Sequence, residues 1–181
     1  MSPFFETPAH RKGEKNFERA RAAELRNDFE RAKEYFRDAA KAFDAHFAQQ
    51  EQAGKEIRPS RLAMAGICYT RLGRNQDALN VFDKALSMKE IPDAYLHAGY
   101  ASAKIEDRTG TLHYWSNYPN WADQRIIATA LKEQIASISE EGDLQAACEA
   151  VAQAVQRQDR ENEKVRLRSP HNRTVPPKRG Y

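Results

Sequence analysis

Between Phe29 and Phe47 the apolar side chains Phe29, Ala32, Phe36, Ala39, Phe43 and Phe47 are separated by 3, 4, 3, 4 and 4 residues. That spacing lines up one face of an α-helix and would scatter over both faces of a strand. The same period recurs along most of the chain, and it is what most restricts the fold. Phe17, Ala20 and Leu25 precede it, and Arg26-Asn27-Asp28 interrupts it, which predicts helices over about 13–25 and 28–52. Asn27 or Asp28 supplies the cap, since a short polar side chain there accepts a backbone N–H. Gly54 ends the second helix and Pro59 opens a third, with Leu62, Ala65, Gly66, Tyr69 and Leu72 as its stripe. Gly73-Arg74-Asn75, Ile91-Pro92-Asp93, Asp107–Gly110, Pro119-Asn120 and Glu141-Gly142-Asp143 punctuate the rest of the chain. Between these breaks run the stripes Ala78-Leu79-Phe82-Ala85-Leu86, Ala94-Ala98-Ala101-Ile105 and Leu112-Trp115-Tyr118. Trp121-Ile127-Leu131-Ile135-Ile138 predicts a seventh helix and Leu144-Ala147-Cys148-Val151-Val155 an eighth. No alternating Val/Ile/Thr run and no Asn-Gly hairpin signals a strand. Eight short helices joined by short breaks read as four antiparallel αα-hairpins in an all-α array.

Composition narrows the class further. The chain has 181 residues, 40% hydrophobic and 30% charged, which is too polar for a membrane protein and too apolar for a wholly disordered one. No apolar run is long enough to span a bilayer, and no signal peptide is readable in the first 25 residues. Cys68 and Cys148, 80 residues apart, form neither a disulfide framework nor a zinc site. The expected location is cytoplasmic. The formal net charge of +3 is uneven: residues 164–181 hold Lys164, Arg166, Arg168, Arg173, Lys178 and Arg179 with no acid, leaving 23 basic and 26 acidic residues in 1–163. With Pro170, Pro176, Pro177 and Gly180 and few apolar side chains, that stretch reads as a basic extended tail. Residues 1–12, with Phe4 and Phe5 between two prolines, read as an N-terminal extended segment.

The run Leu62-x2-Ala65-Gly66-x2-Tyr69, then Gly73, then Ala78-x3-Phe82-x2-Ala85, closely resembles the tetratricopeptide repeat. The Ala-x3-Phe-x2-Ala spacing recurs at Ala32, Phe36 and Ala39, and a third copy has Leu96, Ala98-Gly99 and Ser102, then Thr111, Trp115 and Tyr118. Small residues at Gly66 and Ala78 let paired helices approach, and Leu62, Tyr69 and Phe82 fill the space around them. Gly66 and Gly99 lie 33 residues apart, near the usual period, whereas Ala32 and Ala78 lie 46 apart. About 12 extra residues in the first unit are assigned to a lengthened second helix and the 53–58 loop. The resemblance implies a solenoid of three repeats over 13–118; the helical hairpin over 119–163 is expected to cap it, and the basic tail read from composition occupies 164–181.

The resemblance also implies a groove, lined by the first helix of each pair, that holds a partner peptide or helix. Mapped onto this chain, the lining is Arg21 and Leu25 from the first unit, Ala63, Ile67, Thr70 and Arg71 from the second, and Leu96, Tyr100 and Lys104 from the third. Such a surface suits a peptide with apolar anchors and an acidic group. One subset of the family clamps a C-terminal carboxylate with Lys and Asn, but Phe17 and Arg21 stand at the matching first-unit positions here. The bacterial secretion chaperones in the family share the chain's size and layout. No phosphate-binding loop, nucleophile elbow, His-Glu-x-x-His or Cys-x-x-Cys motif is present. His97 and His113 stand on successive helices without the further ligands a metal needs. The expectation is a non-enzymatic adaptor or chaperone-like protein without a cofactor. Its partner is a protein or peptide, with a second contact through the tail. The alternative is a nucleic-acid- or ribosome-associated adaptor that binds phosphates through Lys164, Arg166, Arg168, Arg173, Lys178 and Arg179. Asn172-Arg173-Thr174 matches a glycosylation sequon and Ser169-Pro170 a phosphorylation pattern.

Overall fold

In the computed structural model, which describes residues 7–168, helices follow one another with no strand among the described residues. The helices are α1 Ala9–Leu25, α2 Phe29–Gln52, α3 Pro59–Arg71, α4 Asn75–Met88, α5 Pro92–Lys104, α6 Arg108–Ser116, α7 Arg125–Ser139 and α8 Leu144–Arg168. They pair as α1/α2, α3/α4, α5/α6 and α7/α8, and each second helix also packs on the next first helix. The result is an all-α stack of antiparallel hairpins. Local chemistry sets the boundaries. Asp28 accepts the Arg31 backbone N–H at the start of α2, and Asp107 accepts that of Gly110 at the start of α6. Prolines open α3 and α5, where a missing N–H costs nothing. Asn27, Glu106 and Glu141 take left-handed φ of 59°, 63° and 65° at three of the interhelical turns.

Rings set into the facing helix hold the first three hairpins together, and aliphatic side chains hold the fourth. A Cβ on Gly66 would collide with the Phe82 ring, and one on Gly99 with the Trp115 indole. Only glycine lets these helices come so close. Ala20 precedes Phe36 by 16 residues, the separation of Gly66 from Phe82 and of Gly99 from Trp115, so it occupies the same place in the first hairpin. Ala20, Phe36, Phe82 and Trp115 are all buried, and Trp115 Nε1 donates to the Leu96 carbonyl at 3.1 Å. Two apolar clusters result. One runs from Phe17 through α2, α3 and α4 to Ala94, Ala98 and Ala101 of α5. The other joins Leu96 and Trp115 to Ile127, Leu131, Ile138, Ala147, Val151 and Val155. Their meeting place is α5.

Four expectations need correction. The first twelve residues are not all extended: α1 begins at Ala9, because its packed face runs on through Gly13, which rests against Phe43, and His10, which meets His46. Trp121 is outside the seventh helix. It sits in a 3-10 turn, Asn120–Ala122, cut off from α7 by Asp123 at φ 54°, and the residue is 48% exposed with its Nε1 donating to Glu90. Lys164, Arg166 and Arg168 are helical, because α8 runs to Arg168. Lys164 pairs with Glu161 and Arg166 with Glu163, while cations in a last turn suit the helix dipole. Arg173, Lys178 and Arg179, the Ser169-Pro170 pattern, the sequon and Phe4-Phe5 lie outside the described residues. Finally, α8 does more than cap the stack, as its contacts with α5 and α1 show.

Candidate partner-binding site

The first helices α1, α3 and α5 lie side by side and form what is here the inner face. Their C-terminal turns bring charge together across two sequence-distant helices. Glu24 on α1 accepts from Arg71 Nε at 2.7 Å and from Arg21 one turn before it. Burial works to raise the pKa of the Glu24 carboxyl, but the guanidinium groups of Arg71 and Arg21 outweigh it and hold the carboxyl below its usual range. Arg21 also donates to Asp159 of α8 at 2.8 Å, and Arg160 donates to Asn27 Oδ1 at 2.8 Å. The Arg71 guanidinium lies 6.0 Å from the Phe36 ring centroid.

Beside this ionic cluster is a cavity of about 230 Å³. The α1–α2 corner contributes Arg21, Glu24, Leu25 and Phe29, α3 contributes Arg71, and α5 contributes Leu96, His97 and Tyr100. The facing wall is α8, from Val151 to Arg160. Leu25 is 38% and Phe29 50% exposed, so the apolar rim is open to a partner. The walls are mostly aliphatic and aromatic, with carboxylate-paired arginines toward one side. Such a site suits an apolar side chain better than a free anion.

Five of the nine residues expected in a groove line this cavity: Arg21, Leu25, Arg71, Leu96 and Tyr100. The other four do not. Ala63 and Ile67 are wholly buried in the first apolar cluster. Thr70 is 7% exposed and turns its hydroxyl back onto the Gly66 carbonyl at 2.8 Å. Lys104 lies over the Tyr100 ring, 5.4 Å from its centroid, and donates to Gln145 of α8 at 2.8 Å. These four stand apart from the cavity because the middle of α3 packs between its neighbours and the end of α5 meets α8 through Lys104. Glu24, Phe29, His97 and the α8 wall were not among the residues expected in the groove. Phe29 and Val155 belong to apolar stripes, so periodicity assigned them to the core. Nothing local indicates that α8 crosses to α1. His97 is buried beside the cavity whereas His113 is exposed against Tyr114, so the two do not converge. Cys68 and Cys148 are buried, and burial raises both thiols, Cys148 to about 11.

Ring-into-glycine hairpins stacked through their first helices define a helical-repeat protein. Residues 60–91, covering α3, α4 and the step to α5, match the family model of the tetratricopeptide repeat. That stretch is similar to one tetratricopeptide repeat, and a repeat of this kind suggests a protein-interaction module. No curated protein and no solved structure gives a significant match to the chain. Among the described residues no helix is long and apolar enough to cross a membrane.

Proposed function

We propose that the chain is a non-enzymatic adaptor or chaperone-like protein, working in the cytoplasm, that holds a segment of a protein partner at the inner face. The observation that carries this reading is the cavity bounded by Leu25, Phe29, Leu96 and Tyr100, with its half-exposed apolar rim. An apolar anchor of the partner enters between Phe29 and Tyr100. Arg160, whose guanidinium donates to the neutral side chain of Asn27, meets an acidic group beside that anchor. The basic residues Lys164, Arg166, Arg168, Arg173, Lys178 and Arg179 supply a second, charge-driven contact.

The test is a photo-crosslinking residue placed at Phe29 or Tyr100 of the full chain in its native cell, followed by binding of the purified partner. One partner should crosslink at both positions. Phe29→Glu with Tyr100→Ala should weaken its binding roughly tenfold or more while the helical content stays unchanged. Undiminished binding by that double variant would remove the cavity from the proposal.

A further inference from the structure

The second helix of a terminal hairpin needs only its own partner and the last stacked unit. α8 exceeds that. It packs on α7 through the second apolar cluster, and it also lies against α5 and reaches α1. Its course along the inner face is fixed at both ends. Lys104 meets Gln145 near its start, and Arg21 meets Asp159 and Asn27 meets Arg160 four turns later. The seat is part apolar, where Val151 and Val155 join Leu96, and part ionic.

The charges divide unequally between the two sides. The stack contributes Arg21 and Arg71 with one carboxylate, Glu24, and the second carboxylate, Asp159, comes from α8. α8 also brings Arg160, so its removal leaves the net charge unaltered but takes from Arg21 its Asp159 partner. The fit is also incomplete, since the 230 Å³ cavity lies between α8 and the stack at the same place. Beyond it Val165 and Leu167 are 55% and 58% exposed, so the last turns of α8 have little apolar hold.

We propose that the face made by α1, α3 and α5 is a helix-binding surface whose resident ligand is α8. A partner helix takes the seat if it carries aliphatic side chains at i and i+4 and a carboxylate at i+8, as Val151, Val155 and Asp159 do. It displaces the distal half of α8, and the chain's affinity for partners is set by that competition. This rests on the inner face being the docking face of the module.

The probe is a fluorescein-labelled synthetic peptide of residues 144–168, titrated against the full chain by fluorescence anisotropy. Asp159→Arg in the full chain sets like charges against Arg21 and releases the resident helix. That variant should bind the peptide at least roughly tenfold tighter than the unmodified chain does. A peptide bearing Asp159→Arg should lose at least as much. The milder Asp159→Asn chain should fall between the two. Hydrogen exchange at α3 and α4 establishes that the stack is intact in each variant. Equal affinity of all three chains for the peptide would overturn the proposal, as would no binding by Asp159→Asn with α3 and α4 protected. The peptide is the chain's own helix, so its behaviour is independent of the crosslinking result. Tight peptide binding with unaltered partner capture by the Phe29/Tyr100 variant would sink the outside docking alone.

Discussion

A glycine under an aromatic ring is the least replaceable residue type in this chain. Gly99→Ala would drive a methyl group into the Trp115 indole and strain its bond to Leu96. We expect a loss of about 1–3 kcal/mol in urea unfolding, typical of overpacking a filled core. Gly54→Ala, where no atom approaches the added carbon, should cost less and only through its φ of +62°. A second residue-scale effect concerns two imidazoles at the α1–α2–α3 junction. His10 and His46 lie 5.2 Å apart, with Arg61 Nη1 3.4 Å from His46 Nε2. Burial first, then Arg61, lowers both from the usual 6.5; Arg11 and Arg58 act the same way on His10, and Glu14 opposes. The folded state therefore binds protons less readily than the unfolded chain. The stability of the neutral form is complete above about pH 6.5 and declines as pH falls toward the lowered values. Urea midpoints should be lower at about pH 5.5 than at about pH 7.5, and replacing both His10 and His46 by Gln should flatten that part of the difference.

At the scale of elements, caps and period decided what could be read in advance. α2 begins after the aspartate that was available to cap it and ends before Gly54, and α3 and α5 open on their prolines. Asp28→Ala and Asp107→Ala should each cost about 1 kcal/mol, measured as a shift in the chemical-denaturation midpoint. The ends were less legible. The first turn of α1 has no acidic residue and no capping side chain, and only long-range contacts of His10 and Gly13 explain why it starts at Ala9. Trp121 fits the α7 stripe in number, but a left-handed Asp123 intervenes, and no local signal in Asp-Gln announces it. In the last turns of α8, a composition that looked unable to fold is carried by pairs three residues apart on the helix surface.

For the whole molecule, two apolar clusters that meet at α5 imply unequal local stability. Repeat arrays open by units, because each unit touches only its neighbours. Amides of α8 beyond Asp159 should exchange faster than those of α3 by native-state hydrogen exchange, with α7 intermediate. Identical rates throughout would mean that the stack opens only as a whole. The site was half legible for a related reason. Positions facing inward on single helices, such as Arg21 and Tyr100, follow from the repeat register. The loss of Ala63 and Ile67 to packing and the arrival of Asp159 depend on how distant helices meet. One consequence is a matter of time. Because α8 is synthesised after every helix whose face it covers, the nascent inner surface is bare while α6, α7 and α8 are being made. At about 5–20 residues per second, those elements take several seconds to emerge. During that interval a partner needs to displace nothing, so order of arrival, as well as affinity, decides which helix occupies the seat.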